Sequence, residues 1–544
     1  MANPSLQIGN DNWAIKEDNL LGYSTAGTRF VPQPITMTRA TLGTRVNPEG
    51  LVEDVALLGS EQVVNGDFEL NSDWNNFGTP TTSEQSTEQS HTGTYSWKII
   101  ADATQEGIFS PNNFSLTSGL QYTVSLWIYS VSGDSIKSGL NNTNVSVFTE
   151  RTVIAGQWTN ITYEATATST GASYISILSQ NSLNFYVDNV SIKEYTVNNL
   201  PRVDYTDGTS SLLVEPMRTN LVTYSEDFSQ WTTEGSIEAT DNFITSPDGT
   251  QNATKLQLTG SSSGTDGKIS FAVSPSATTH TFSVFAKKGN HDYIYIWINM
   301  TVGSNITRWI NLDDGSVNVG SGTATVTTTS FSNDWWKIEY TFDATNMSKI
   351  KFEVADDGVS TGTGGDNIYV WGAQLEQGSY ETSYIPTSGS TVTRNQETYE
   401  KTGISDLINS EEGVLFIEAS TFENGADCRI TLSDGTITNR VSVEWDILAN
   451  TIKGFVGLNG NVVSPATYNQ TNFNKIALKY KENDCALWIN GTEVDTDFNV
   501  SALSGTNQLE FSSYAGALPF EGKVKQLQIF KTALSDSELA TLTT

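Results

Sequence analysis

Apolar and polar side chains alternate with a period of two residues along most of this chain. In residues 122–129, one side carries Tyr122, Val124, Leu126 and Ile128, and the other carries Thr123, Ser125, Trp127 and Tyr129. This alternation indicates β-strands, and the 3.6-residue period of helices is nearly absent. The one good helix signal is a capping box formed by Ser535 and Glu538. We therefore predict an all-β fold of tandem β-sandwiches.

Charge and composition exclude several functions. The chain has 61 acidic and 29 basic residues, a net charge of −32, which repels phosphate backbones and argues against nucleic-acid binding. Its 3 histidines disfavour a His-based metal or catalytic site. Cys428 and Cys485 are expected as buried thiols, because two cysteines make no disulfide scaffold. No apolar run is long enough for membrane insertion, and we expect no signal peptide, which fits assembly inside a host cell and release by lysis.

Composition and strand pattern divide the chain into six parts. Residues 1–58 form an extended N-terminal arm, which is punctuated by Pro32, Pro34 and Pro48 and cannot bury a core alone. The arm is either flexible or docks on another protein, and we expect it to anchor the chain. Sandwiches follow at 59–198, 223–388 and 411–544, joined by linkers at 199–222 and 389–410. The first two open with an Asp-Phe pair followed by a Trp and close with an Asp-Asn strand, so we interpret them as diverged copies.

Several motifs resemble those of bacteriophage tail-fibre and virion proteins. The matching stretches are RAT at 39–41, TRVNPEGLVE at 44–53, PRVDY at 201–205, SLLVEPMRTNL at 211–221, WGAQLE at 371–376 and SYIPT at 383–387. In that family the 44–53 and 201–205 stretches are nearly contiguous, whereas here residues 54–200 separate them. We infer that the first sandwich is an inserted domain. The resemblance implies a place on the virion surface, with the arm contacting other virion proteins, and a homotrimer.

Two of the sandwiches resemble sugar-binding folds. The first is similar to jelly-roll carbohydrate-binding modules through NGDFE at 65–69, GTYS at 93–96 and YVDNV at 186–190. The second, as its copy, is expected to be a jelly roll too. The third resembles concanavalin A-like, laminin-G-type lectin domains through FEGKVKQLQIF at 520–530 and LSDSEL at 534–539.

Two strand faces are candidate glycan-binding platforms, because sugar rings stack their C–H faces on aromatic side chains. Tyr293, Tyr295 and Trp297 share one face of a strand, spaced about 6.6–7 Å apart at the usual strand rise. Trp127 and Tyr129 form the same pattern in the first sandwich. The alternative is that either face is buried as core or against a neighbouring subunit.

A structural calcium ion is expected in the first sandwich, as the resemblance to carbohydrate-binding modules implies. Glu69 and Asp188 are the predicted ligands, with Asp67 third, where the opening and closing segments of the domain meet. Hard oxygen ligands of this kind suit calcium. The alternative is solvated carboxylates with no ion. Asp227 and Asp366 hold similar places in the second sandwich.

We therefore expect a phage head or tail fibre, or adhesin, that binds host-surface or environmental glycan and catalyses no reaction. One alternative is a purely structural capsid decoration or fibre protein. The other is a polysaccharide-degrading tailspike, which would need two carboxylates about 5–9.5 Å apart. No hydrolase elbow, zinc-protease motif, phosphate-binding loop or dinucleotide fingerprint is present in the sequence.

Overall fold

The computed structural model describes the chain except residues 1, 17–18, 27–28, 112–113, 144–148, 264–266, 277, 357, 360, 459 and 514–515. The predicted all-β fold of tandem sandwiches is confirmed. Among the described residues, the one α-helix is Asp536–Thr543, and it begins at the predicted capping box. No helix in this part of the chain is long and apolar enough to cross a membrane.

The first sandwich packs a six-stranded sheet on a five-stranded sheet. The predicted alternation in Gln121–Ser130 is confirmed, since Val124, Leu126 and Ile128 are fully buried in the core between the sheets. In chain order its strands are Leu57–Glu61, Asn75–Phe77, Thr82–Ser86, Ser96–Ala101, Gly107–Phe109, Phe114–Leu116, Gln121–Ser130, Asp134–Leu140, Thr149–Val153, Trp158–Thr166, Gly171–Ser173, Ile175–Ser179 and Leu183–Thr196.

The second sandwich consists of two six-stranded sheets around its own core. Its strands are Thr232–Glu234, Ile237–Ile244, Ala253–Leu258, Ser262–Ser263, Lys268–Ala272, Thr279–Lys288, Tyr293–Met300, Ile306–Asn311, Val317–Val319, Thr325–Phe331, Trp335–Asp343, Met347–Val354, Thr361–Gly362 and Asn367–Gln377. Short 3-10 turns lie at Phe228–Gln230 and Ser332–Asp334.

A repeated aromatic contact supports the interpretation of these two sandwiches as copies. Phe68 and Trp74 lie with ring centroids 5.0 Å apart in the first, and Phe228 and Trp231 lie 5.0 Å apart in the second. In each, the indole N–H donates to a carbonyl of the opening segment, at 2.9 Å for Trp74 and 3.0 Å for Trp231. The same short Asp-Phe…Trp pattern therefore closes the same end of both cores.

The third sandwich is assembled from separate parts of the chain, and we call this assembly the frame. Its strands are Leu6–Gly9, Ala14–Lys16, Asn19–Ala26, Arg29–Thr38, Arg202–Asp204, Ser211–Val214, Thr398–Lys401, Glu412–Thr421, Cys428–Ser433, Arg440–Trp445, Ile452–Val456, Gly460–Val463, Asn474–Lys481, Cys485–Ile489, Thr492–Asp497, Gln508–Glu510 and Gly522–Phe530. A 3-10 turn lies at Ser405–Leu407. Cys428 and Cys485 are free, buried thiols in it, as predicted.

The N-terminal segment differs from the extended arm that we predicted. Leu6–Gly9 pairs antiparallel with Gly522–Phe530, and Arg29–Thr38 pairs with both Asn19–Ala26 and Thr398–Lys401. Its apolar side chains are buried in the frame core: Leu6, Ile8, Leu20, Ile35 and Met37. Burying these side chains and satisfying an otherwise open sheet edge both favour this arrangement over a free arm.

Neither predicted linker, 199–222 or 389–410, is a linker in the structure. Ser211–Val214 pairs with Gly522–Phe530, and Arg218–Asn220 pairs with Val392–Arg394. Linkers are expected to be exposed and to make few contacts, whereas Arg202, Leu212 and Arg394 are at most 1% exposed. These segments instead join the second sandwich to the frame.

The inferred domain insertion agrees with the structure. The backbone N–H of Tyr205 donates to the carbonyl of Val46 at 3.0 Å, and the N–H of Val46 donates to the Asp204 carboxylate at 2.9 Å. A hairpin of Thr44–Val46 and Val52–Asp54 thus lies beside Arg202–Asp204. The two motif stretches that the first sandwich separates in sequence are neighbours in space.

Five buried charged side chains hold these segments together, and we call them the ionic cluster: Arg39, Arg202, Glu215, Arg394 and Glu397. The Arg202 guanidinium lies 2.8 Å from Glu215 and 2.6 Å from Glu397. Arg39 pairs with Glu397, and Arg394 lies 3.0 Å from Glu215. Burial alone would raise the pKa of Glu215, but the nearby guanidiniums lower it to about 2. The N-terminal segment and the two predicted linkers, 199–222 and 389–410, each contribute a charge that another of these segments neutralises.

Candidate functional site

Trp127 and Tyr129 point away from the core of the first sandwich, onto the outer face of its six-stranded sheet. Neighbouring strands add Trp158 on one side and Tyr186 on the other, both in register with Tyr129. The ring centroid of Tyr129 lies 5.7 Å from that of Trp158 and 6.0 Å from that of Tyr186. These four residues and His91 form what we call the first aromatic face.

His91 reaches this face from a loop. Its ring stacks on Trp127 with centroids 3.8 Å apart and planes 15° apart, and it meets Trp158 edge-on at 5.6 Å. Burial lowers the pKa of His91, so the neutral ring is favoured. Because His91 covers one side of Trp127, the partly exposed rings of His91, Tyr129 and Trp158 supply the accessible stacking surface.

The predicted metal ligands Glu69 and Asp188 hold the loop that carries His91. The Asp188 carboxylate accepts N–H groups of His91 at 2.8 Å and Thr92 at 3.2 Å. One Glu69 oxygen accepts the N–H groups of Thr94 at 2.7 Å and Tyr95 at 2.9 Å. Burial raises the pKa of Asp188 to about 6, despite these donors.

The carboxylates predicted to bind calcium are engaged by backbone donors. One Glu69 oxygen and both Asp188 oxygens accept N–H groups, and Asp67 is exposed to solvent. Across the described ranges, no three His, Cys, Asp or Glu side chains gather as metal ligands. The opening segment 65–69 is also not a strand; Leu57–Glu61 pairs with the closing strand instead, although the Val190 N–H donates to the Gly66 carbonyl at 2.8 Å. Calcium binding stays a prediction.

Polar groups border the first aromatic face. The Tyr186 hydroxyl donates to Glu88 at 2.7 Å, and the Lys98 ammonium lies 2.6 Å from the same carboxylate. The Lys98 ammonium also lies 5.8 Å from the Tyr186 ring centroid. Flat rings beside charged and hydroxyl groups match the two surfaces of a sugar, its C–H face and its hydroxyls.

The second predicted platform is partly covered. Tyr293, Tyr295 and Trp297 do lie on the outer face, opposite the buried Ile294, Ile296 and Ile298. However, Tyr295 stacks on Trp309 at 4.0 Å and is 5% exposed. The Lys268 ammonium lies 5.0 Å from the Trp297 ring centroid and 3.1 Å from the buried Glu353. Tyr293 and Trp297 stay partly exposed, so the predicted row of three rings is not a continuous flat platform.

The carboxylates predicted by analogy in the second sandwich have separate partners. Asp227 accepts the Ser229 hydroxyl at 2.6 Å, whereas Asp366 accepts the Thr363 N–H at 2.7 Å and lies 3.6 Å from His291. They share no partner, and the structure gives no sign of a joint site.

Sequence reasoning missed Trp158, Tyr186, His91 and Trp309. Trp158 begins a strand whose alternation puts Tyr163 and Ile161 inward, so its outward direction was readable from the pattern. His91 carries no such signal, because a loop brings it onto the face.

Comparison with known proteins places a family match on the same domain. Residues 60–181 match the family model described as "Carbohydrate binding domain". A curated relative, endo-1,4-beta-xylanase Y of Acetivibrio thermocellus, is 26% identical over 148 residues, which is 25% of this chain. The chain spans 14% of that relative's length.

Solved structures of carbohydrate-binding modules are also similar. The Ruminococcus gnavus IT-sialidase CBM40 bound to α2,3-sialyllactose is 18% identical, covers 25% of this chain and 84% of its own, and has a TM-score of 0.22. The CBM22-1-CBM22-2 tandem of Paenibacillus barcinonensis Xyn10C is 12% identical, covers 60% of this chain and 98% of its own, and has a TM-score of 0.22. Likenesses this low do not indicate which ligand this chain binds.

Proposed function

We propose that this chain binds glycan through the first aromatic face, as a surface protein of a bacteriophage particle. The observation that carries glycan binding is the convergence of His91, Trp127, Tyr129, Trp158 and Tyr186 on one outer sheet face. All but Tyr186 lie within residues 60–181, which match a carbohydrate-binding family.

A bound sugar would stack on the aromatic rings of this face, and the polar groups at its border would orient the sugar. A sugar ring laid on Trp158 and Tyr129 would place hydroxyls near Lys98 and Glu88, which are held by mutual contact at 2.6 Å. Ordered side chains lose little conformational freedom on binding, which favours affinity. Glu69 and Asp188 contribute indirectly, because they position the His91 loop.

The finer parts of the proposal rest on the sequence resemblance. The motifs shared with phage virion proteins support a virion-surface location, contacts with other virion proteins and a homotrimer. Binding without hydrolysis is proposed because Glu88 on the first aromatic face is already engaged by Lys98 and Tyr186. The alternatives are a structural decoration protein without a ligand and a polysaccharide-degrading tailspike.

A glycan array with the full-length protein tests glycan binding. Truncating an aromatic anchor costs about 2 kcal/mol, so Trp158→Ala should weaken binding of array hits by about thirtyfold. Phe498→Ala, at a ring that is 68% exposed on the frame, is the matched control and should bind normally. Binding to no glycan would favour the decoration protein, and unchanged affinity of Trp158→Ala would reject this face as the site.

Three further measurements test the virion location, the absence of hydrolysis and the trimer. Labelled antibody on intact particles should mark the virion surface, and its failure to do so would reject that location. Release of reducing ends from a bound polysaccharide would overturn binding without hydrolysis. Light scattering of the purified protein reports whether the trimer forms.

A further inference from the structure

A groove of about 510 Å³ lies on the frame, and its lining includes no residue of the first aromatic face or of the second predicted platform. Its lining comes from four regions of the chain: Asp207 and Thr209; Ser420, Thr421 and Phe422; Thr471, Asn472 and Phe473; and Lys523 and Lys525. Part of the lining belongs to the segment that we predicted as a linker. A volume of this size falls within the range of small-ligand sites, about 300–1,000 Å³.

Two phenylalanine rings give the groove apolar surfaces. Phe422 stacks on Tyr380 with centroids 5.2 Å apart and planes 22° apart, and the Tyr380 hydroxyl donates to Glu521 at 3.0 Å. Phe473 lies under the Lys525 ammonium, 4.3 Å from the ring centroid. Both rings are partly exposed and held by neighbours, so they offer firm stacking surfaces.

The two lysines of the groove differ in their partners. The Lys523 ammonium lies 3.1 Å from Asp204 and 3.2 Å from Asp207, so its charge is already balanced. Lys525 makes no ion pair with any described residue, and its ammonium lies over the Phe473 ring. A cation held in place beside an aromatic surface, without a carboxylate partner, is suited to an anionic ligand group.

The net charge of the chain limits which anionic ligands the groove can bind. A protein of net charge −32 repels a polyanion over long distances, so one lysine would not retain a nucleic acid or a densely sulfated chain. A largely neutral ligand with one carboxylate avoids this repulsion and uses both the rings and Lys525. We propose that the groove binds an oligosaccharide bearing a single acidic sugar, with Lys525 on the carboxylate and the rings of Phe473 and Phe422 against the sugar faces. This second site does not depend on the first aromatic face.

Calorimetric titration of the full-length protein tests this site. The probes are a trisaccharide that ends in glucuronic acid and the same trisaccharide with its carboxyl reduced to the alcohol. The acidic probe should bind the wild type about tenfold more tightly than the reduced probe, because only it forms a charge-assisted contact. Lys525→Gln should remove that preference, whereas Lys531→Gln, at an exposed lysine beyond the end of the same strand, should keep it.

Further variants separate this site from the proposed function. Trp158→Ala should leave binding of the acidic probe unchanged, even if it abolishes glycan binding at the first aromatic face. Phe473→Leu keeps apolar bulk and should weaken both probes, with an unchanged melting temperature showing that the frame is folded. Equal affinity for the two probes, an unaffected Lys525→Gln variant, or loss of binding in Trp158→Ala would each overturn the proposal.

Discussion

The first and third sandwiches are built in different ways. The first uses one continuous stretch of chain, Leu57–Glu61 to Leu183–Thr196, around a core of its own. The third takes core residues from both ends of the chain, such as Leu6 and Leu527. An inserted domain of the first kind can change its ligand without disturbing its host, whereas the frame folds only when distant segments meet.

The junction between them explains how the insertion is tolerated. The Asn199 N–H donates to the Arg39 carbonyl at 2.8 Å, and the Tyr195 hydroxyl donates to Asp54 at 3.0 Å. The first sandwich therefore leaves and rejoins the frame at neighbouring points. A domain whose ends lie close together can be inserted without stretching its host.

The largest expected difference between the frame and the first sandwich is in what their deletion does to folding. Removing residues 1–38 should unfold the frame, because burial of each side chain such as Leu6, Ile8 and Leu20 contributes about 1.5–3 kcal/mol and whole domains have about 5–15 kcal/mol. Replacing residues 57–197 by a short Gly-Ser linker should leave the frame folded. Circular dichroism and thermal melting measure both. A stable frame without residues 1–38 would show that the frame folds without its N-terminal strands, contrary to this prediction.

Breaking the ionic cluster should be the next largest effect. Glu397→Gln leaves Arg39 without its buried counter-charge and Arg202 with Glu215 alone, and removing one partner of a buried pair costs about 3–5 kcal/mol. Hydrogen exchange, read peptide by peptide, should show the loss in the frame and not in the first sandwich. Glu400→Gln, at an exposed neighbour, is the control and should change little.

Releasing the His91 loop should have a smaller, local effect. Glu69→Ala removes the acceptor of two backbone N–H groups, which destabilises the first sandwich by about 1–3 kcal/mol. It should also weaken glycan binding, with the frame unaffected. Asp67→Asn, two positions away and exposed, is the matched control. Calorimetry and glycan titration give the two readouts, and normal binding by Glu69→Ala would show that the loop is not needed.

Calcium binding by the first sandwich is tested by adding a chelator. If calcium ties residues 65–69 to the closing strand, chelator should lower the melting temperature of the first sandwich. Asp188→Ala should abolish that response. The N–H donors on Asp188 favour the opposite result, an unchanged melting temperature.

The smallest expected effect is that the stabilities of the first sandwich and of the frame respond to acid in opposite directions. Asp188 has a folded pKa of about 6, above its ordinary 3.8, so the folded state binds more protons between these values. The first sandwich should thus gain about 1–2 kcal/mol as pH falls from 7 to 4. Glu215, with a pKa of about 2 against 4.5, stabilises the frame above pH 4.5 and loses that contribution below it.

Hydrogen exchange across this pH range separates the two responses. Asp188→Asn should reduce the gain in the first sandwich, where Glu164 also has a raised pKa, and leave the acid sensitivity of the frame. If the first sandwich loses stability steadily from pH 7 to 4, the burial of Asp188 does not control its titration.

Local patterns predicted much of each domain. Alternation identified the outward direction of Trp127, Tyr129 and Trp297, because successive side chains of a strand point to opposite faces whatever the strand pairs with. The turn at Asn490-Gly491, between Cys485–Ile489 and Thr492–Asp497, is likewise a local feature: both residues have positive φ, at 49° and 84°, which a two-residue hairpin of this type requires. Such features depend on a few adjacent residues.

By itself, the sequence determined the alternation of the strands in the sandwiches and the repeat of the first two, and the resemblance of its motifs to phage virion proteins indicated the inserted position of the first domain. Tertiary structure alone decided which edge receives Leu6–Gly9, since its partner Gly522–Phe530 lies at the other end of the chain. It also decided that His91 joins Trp127 and that Trp309 covers Tyr295. Period-two alternation states which side of a strand is apolar, but cross-strand neighbours follow from register and loop path, which are set by packing of the whole fold.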